Sequence, residues 1–283
     1  MEIGYVCTNY NNSAFTRSAV KTLFANSSCK FHVFIVDNNS DQANVDELEL
    51  LKADDPDIHH LLGKENLGYF RGLNAGIKGL RSVYPQLDWI IVGNNDLVFP
   101  PDFGEKLVGN LPRLAEHMVI SPDVITVDGH HQNPHVITRI TPVRQMFYDL
   151  YYSNYHVGLV IQKLATMFPR ISKRPDESNW QKAQPIHQGH GSVYLLGPQF
   201  FARFEELWAP TFLMAEEYFL SKQLSDVGSQ VYYDPCIQIT HHWHASLAKL
   251  PGKQRWEFAR DAHREYRKYV KIFDSRESRR TNG

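Results

Sequence analysis

Three stretches of this chain of 283 residues place amide, carboxylate and imidazole groups where they could do chemistry. In "WIIVGNNDLVFPPDF" (89–103) a hydrophobic strand runs into Asn94, Asn95 and Asp96 and then into prolines. Side chains two apart on an extended segment point the same way, so Asn94 and Asp96 share one face and Asn95 faces elsewhere. They form either a set of oxygen donors for a ligand or an ordinary strand-end turn, since Asn and Asp hydrogen-bond the local backbone. In "AEEYFL", Glu216 and Glu217 open an expected helix, where acids either exchange protons with a substrate or simply complement the helix dipole. In "THHWHAS" the histidines at 241, 242 and 244 raise the idea of zinc. Their spacing does not match the i, i+4 pair of a metalloprotease helix.

The elements that must position these groups are legible as periodicities. "EIGYVCT" and "FHVFIVD" are short β-branched and aromatic runs, and between them Phe15, Ala19, Leu23 and Phe24 recur at helical spacing. This βαβ unit is followed by a helical "NVDELELLKA", a weaker strand near "IHHLL", a helical "FRGLNAGIKGLRSVY" and the strand "DWIIVG". The fold class is therefore α/β: one Rossmann-like domain with a mostly parallel central sheet and covering helices. Ligands of such sheets sit beyond the carboxyl ends of the strands, which gathers "CTNYNN", "VDNNSD" and "GNNDLV" at one rim. Later, "GHGSVYLLGPQFFARF" restores regular alternation, a helix begins near "AEEYFLSKQLSD", and "SQVYYDP" reads as a strand.

Composition narrows the function. With 30 basic and 31 acidic residues the formal net charge is −1, so nothing points to nucleic acid as a partner, and 42% hydrophobic content supports a sizeable core. Cys7, Cys29 and Cys236 are odd in number and lack metal-ligand spacing, which predicts free thiols and a reducing, cytoplasmic setting. No run approaches the ~18 apolar residues of a membrane span, so the protein is expected to be soluble or peripheral.

"VDNNSDQ", "ENLGYFRGLNAGI", "GNNDLVFPPDF", "GSVYLLGPQFF", "AEEYFL" and "ITHHWHAS", in this order, resemble the inverting family 2 glycosyltransferases of GT-A fold, over residues 3 to 246. The texture is similar to that of bacterial, rhamnosyltransferase-like enzymes that assemble O-antigen and capsule. The resemblance implies a GT-A domain over 1–250, with a nucleotide-binding half (1–100) and an acceptor half (101–250) holding an aromatic, basic insert at 141–188. A helical tail follows at 251–283.

It also implies site roles. Asp37 can accept the N3–H of uracil or thymine, the family's use of this position, or can form an Asx-type turn with Asn38 and Ser40. Thr8 and Tyr10 would flank the base. Asn66, Gly68, Arg71 and Gly72 in "NLGYFRG", together with Asn95, belong to the nucleotide side. Asn94 and Asp96 occupy the family's Asp-x-Asp slot, with Asn94 as a neutral oxygen ligand for Mn2+ or Mg2+. His241, 24 residues after Glu217 and five before Ser246, matches the family's metal-binding histidine, and an imidazole ligand favours Mn2+. Glu217 matches the catalytic base and Glu216 its orienting neighbour. Gly191, Ser192 and Trp243 fall on the acceptor side.

The implied reaction moves a sugar from a dTDP- or UDP-linked donor to a hydroxyl of a growing, lipid-linked glycan acceptor. A sugar-nucleotide nucleotidyltransferase would show a glycine- and arginine-rich phosphate loop, which "CTNYNNS" is not. A silent sugar-nucleotide or glycan binding module would not need Glu217, and a zinc hydrolase would carry stoichiometric zinc. The tail places Trp256, Ala259, His263, Tyr266, Val270 and Phe273 on one stripe and Arg260, Arg264, Arg267, Lys268 and Lys271 off it. With the aromatic, basic segment 144–174, it suits a peripheral position on anionic lipid at the inner face of the plasma membrane, unless the stripe packs on the domain.

Overall fold

The computed structural model describes residues 1–138, 140–167, 176–242 and 252–270. Trp243, His244, Ser246, Lys271 and Phe273 lie outside them, as does 168–175 of the insert.

The first hundred residues alternate as expected: β1 (Glu2–Asn9), α1 (Ser13–Phe24), β2 (Lys30–Asp37), α2 (Gln42–Asp54), β3 (Ile58–Leu62), α3 (Tyr69–Val83) and β4 (Ile90–Asn94). Past the short β5 (Leu97–Val98) come α4 (Phe103–Leu114), β6 (Val119–Thr126), α5 (Pro142–Tyr151) and α6 (Tyr155–Met167). The rest comprises β7 (Gln184–Ile186), β8 (Val193–Leu196), α7 (Pro198–Phe201), α8 (Glu216–Ser225), β9 (Val231–His241) and α9 (Gly252–Tyr266).

One sheet of nine strands has the order β3-β2-β1-β4-β8-β6-β9-β5, with β7 also on β9. β1, β2, β3, β4, β6 and β9 run one way; β8, β5 and β7 oppose them. This is the mostly parallel α/β sheet read from the sequence. Its central strands are hydrophobic almost without interruption because both faces are covered: in β2 every residue from Phe31 to Asp37 is buried. The period of two sorts side chains between two cores. Tyr5, Cys7, Val33 and Ile35 join Ala19 and Leu23 of α1 and Phe103 and Leu107 of α4. Val6, Phe34 and Val36 join Phe70, Leu73 and Ile77 of α3 and Leu220 and Leu224 of α8.

Between β6 and β9 the register jumps. Pro122 faces Asp234 but Asp123 faces Gln238, so β9 carries the bulge Pro235–Cys236–Ile237. Past it, β9 pairs with β5, His241 opposite Leu97, which brings the far end of the chain beside Asp96.

The tail helix α9 packs on the domain through its stripe. Trp256 and Tyr266 are buried, Trp256 lies 5.5 Å from the Tyr155 ring and Tyr266 4.3 Å from that of Tyr218. Its aromatic stripe therefore covers protein, which corrects the expectation that the tail offers those aromatics to lipid. Among the described residues no helix is long and apolar enough to cross a membrane, and the three cysteines are unpaired.

Candidate active site

Three polar strand ends meet at one rim because the registers put them side by side: Asn9 pairs with Asp37 and Thr8 with Asn94. Behind them lies an amide network invisible in the sequence. Asn95 Nδ2 lies within hydrogen-bond reach of Asn12 Oδ1 (2.8 Å), Asn9 Oδ1 (3.1 Å) and Thr16 Oγ1 (2.7 Å), and Asn9 Nδ2 donates to Asp37 Oδ1 (2.8 Å). Asn95 is buried here, turned from the face that Asn94 and Asp96 share. The nucleotide role expected of it thus becomes one of bracing the loop after β1. Asp37 does form the Asx turn, its Oδ2 accepting from Ser40 N (2.8 Å) while Oδ1 also accepts from Ser40 Oγ. That uses three of the about four acceptor positions of a carboxylate. Thr8 is half-buried beside this cluster, and Tyr10 is exposed at its edge.

The glycines of "NLGYFRG" are required by close approach. Gly68 has φ +82°, and a Cβ there would lie 2.0 Å from Phe212 O. At Gly72 a Cβ would lie 2.7 Å from Thr8 Cγ2. Asn66 Oδ1 accepts from Gly68 N (2.9 Å), which shapes the turn into α3. Arg71 points elsewhere: its guanidinium donates to Ala209 O (3.2 Å) and lines an outer groove with Lys78, Arg81 and Phe201. None of Asp37, Asp96, His241 and Glu217 lines that groove.

The sharpest feature is the pair Asp96 and His241, far apart in sequence and joined by the bulged β9. His241 Nε2 lies 3.3 Å from Asp96 Oδ1 and 3.2 Å from Asn94 Nδ2. Both residues are buried, and Asp96 Oδ1 has no hydrogen-bond partner. On the other side of the ring, Nδ1 is 2.8 Å from Gln132 Oε1. An amide oxygen only accepts, so this contact suits the tautomer with hydrogen on Nδ1, which leaves Nε2 to face Asp96 and Asn94. A carboxylate oxygen without a donor, an imidazole lone pair and an amide whose other arm is an oxygen fit a divalent cation. Among the described residues no group of three or more His, Cys, Asp and Glu side chains gathers around a point, so phosphate oxygens would have to complete the shell. His242 turns away, its ring 5.8 Å from Phe15, so His241 and His242 do not act as one cluster.

Gln132 carried no sequence signal, since no local pattern links "HHQNP" to a strand end more than a hundred residues later. Gln132→Leu is expected to free the imidazole tautomer and weaken Mn2+ binding by about 10–100-fold, read as free Mn2+ by paramagnetic resonance. Gln132→Glu should retain most of the affinity, because it keeps the acceptor.

The acid pair opens α8. The chain enters through Met214 (φ +76°) and Ala215 (φ +65°), two successive residues in the left-handed region, a costly entry that aims the first turn. Glu216 is buried with Oε1 unpartnered, and burial, reinforced by the Glu217 charge, pushes its carboxyl up to about 8. Burial thus favours the protonated form of Glu216 at neutral pH. Glu217 is half-buried and lies against Gly191, where a Cβ would come within 2.5 Å of its Oε1. Gly191 O accepts from Tyr69 Oη (2.8 Å), and Ser192 O accepts from Asn94 N (2.8 Å), so the 191–192 turn bridges the acid pair and the Asn94 strand end. Tyr69, another residue without an expected role, is the hub: burial drives its hydroxyl well above its ordinary range, and the charges of Glu216, Glu217 and Asp96 add to this.

Folding raises the pKa of Glu216, so its contribution to stability is greatest below its ordinary value of 4.5 and is lost as pH climbs to about 8. Glu216→Gln is therefore expected to melt higher than the parent above pH 8, with the difference closing toward pH 4.5. Parallel melting curves across that range check it.

Asp37, Thr8, Asn94, Asp96, His241, Gly191, Ser192, Glu216 and Glu217 thus gather along one rim, whereas Asn95 is braced behind it, Arg71 lies outside it and Trp243 is beyond the described residues. Among solved structures, the mannosyltransferase PcManGT from Pyrobaculum calidifontis, in complex with GDP-Man and Mn2+, is similar at TM-score 0.55 and 13% identity, covering 90% of this chain and 59% of its own. GalNAc-T7 with UDP, GalNAc and Mn2+ is similar at TM-score 0.55 and 11% identity, covering 86% of this chain and 44% of its own. The chain thus spans less than two thirds of either protein, and at these identities the likeness is one of fold, GT-A. Among curated proteins, none matches. The family model for glycosyl transferase family 2 matches residues 6–184, more than half of the sequence, and with the sheet and the rim it carries, this chain belongs to that family.

Proposed function

We propose that the protein is an inverting, metal-dependent glycosyltransferase. It moves a sugar from a dTDP- or UDP-linked donor to a hydroxyl of a growing, lipid-linked bacterial polysaccharide such as O-antigen or capsule. The observation that carries the reading is the buried pair Asp96 and His241, its imidazole Nε2 3.3 Å from an unpartnered carboxylate oxygen and 3.2 Å from Asn94 Nδ2. These three residues would hold Mn2+ or Mg2+, and a bound ion supplies Lewis acidity toward the leaving diphosphate. GDP-Man and UDP in the two similar structures support a nucleotide diphosphate at such a rim.

The chain's own groups do the rest. Glu217 takes the proton of the acceptor hydroxyl as it attacks the anomeric carbon opposite the diphosphate. Neutral Glu216 serves as a donor that orients acceptor or loop. Gly191 and Ser192 set the floor against which the acceptor lies, and Asp37 keeps one acceptor position for the N3–H of uracil or thymine. A panel of nucleotide sugars with Mn2+, including GDP-mannose, tests this by thermal shift and released nucleotide. Stabilisation and turnover with a uridine or thymidine donor support the reading. A response to no nucleotide sugar overturns it.

A further inference from the structure

The helical pair α5 and α6 is built inside out. On α5 the buried side chain is Gln145, while Val143, Met146, Phe147 and Leu150, spaced i, i+3, i+4, i+7, are each more than half exposed. On α6 Gly158 is the buried position among the described side chains, and Val160 and Leu164 stand at least half exposed. The inner sides are accounted for. Gln145 Nε2 donates to Tyr266 Oη, Asp149 takes His263 (2.8 Å) and Arg267 (2.9 Å), and a Cβ on Gly158 would meet the Trp256 ring. The pair therefore docks on α9 through polar and aromatic groups and turns its aliphatic stripe to the outside. An amphipathic helix on a water-facing surface does the reverse. A contiguous apolar face of this kind marks a contact with something else.

Charge selects the occupant. The sole acid on the two helices, Asp149, is turned inward, whereas Arg144 and Lys163 are on the exposed side. From 141 to 175 the sequence holds five Lys or Arg against that single acid. A second copy would set this basic excess against itself; an anionic headgroup layer answers it directly. We propose that the face formed by α5 and α6 lies in the plane of an anionic lipid surface, with Met146, Phe147, Leu150, Val160 and Leu164 among the acyl chains and Arg144 and Lys163 at the phosphates. Helices of this length lie on a bilayer and do not cross it. The apolar contact thus moves from the tail, whose stripe is covered, to the hairpin that rests on it. The inference does not depend on the sugar-transfer reading.

The test uses the full chain and vesicles of phosphatidylcholine alone or mixed with phosphatidylglycerol, at low and high salt. The expected result is co-sedimentation with the anionic vesicles that weakens with salt. It should fall about tenfold or more in Phe147→Asp with Val160→Asp and persist in Phe147→Leu with Val160→Leu. Nucleotide binding, unchanged in every variant, reports the fold and fails separately if the catalytic reading is wrong. Equal partition into both vesicle types at low salt overturns the proposal. So does a parent dimer in light scattering that the same Asp pair dissociates, which would make this face a contact between copies.

Discussion

Glu217→Gln is expected to turn over about 10²–10⁴-fold more slowly than the parent while binding a nucleoside diphosphate as the parent does. The substitution keeps the size of the side chain and removes its ability to accept a proton. Burial favours the proton on the neighbouring Glu216, which suits that residue less to the role of base. An interaction made only as the acceptor hydroxyl attacks should lower turnover without touching donor affinity. A helix-dipole role predicts the opposite division: a small loss of stability and normal turnover. Released nucleotide, measured with saturating donor, separates the two. Near-normal turnover would move the base to Glu216, and Glu216→Gln, already of interest for its pH-dependent stability, would then carry the loss.

Asp96→Ala is expected to bind UDP or dTDP about 10²-fold more weakly than the parent when Mn2+ is present. Chelator should weaken the parent by a similar factor and leave the variant unchanged, because either change would remove the ion that Asp96 is proposed to hold for the diphosphate. The buried position of Asp96 makes the control important. Removing a carboxylate that faces an imidazole at 3.3 Å could perturb the fold, so the melting temperature of the variant in chelator is measured beside the parent's. Calorimetry that finds equal parental affinity with Mn2+ and with chelator would take the metal out of the reaction altogether.

Much of the first hundred residues follows from local pattern. Alternating runs such as "FHVFIVD" and helical spacing such as Phe70, Leu73, Ile77 and Leu80 are relations between residues two, three or four apart. They determine strands, helices and the rim where strands end, and they carry the likeness to the family over residues 6–184. The acid pair at the head of α8 is also local, since two acids in a first helical turn are visible without any partner.

Relations across the sheet are not of this kind. His241 meets Asp96 because β9 lies beside β6, bulges between Asp234 and Gln238, and then pairs with β5. No periodicity encodes which distant strand is a neighbour. For the same reason Gln132 as the partner of His241, Tyr69 bonded to the Gly191 carbonyl, and Asn95 within an amide network were decided only by packing in three dimensions. The tail and the hairpin make the point most clearly. Each sequence shows an amphipathic helix, and the stripe alone cannot say what covers it. The tail's aromatic stripe met protein because α5 and α6 offered Gln145, Asp149 and Gly158 to receive it, and that choice left the hairpin's own aliphatic stripe outside. Sequence by itself determined which groups could act and which faces were apolar. The tertiary structure decided which of them meet, because burial and pairing between distant segments depend on the whole chain's closure.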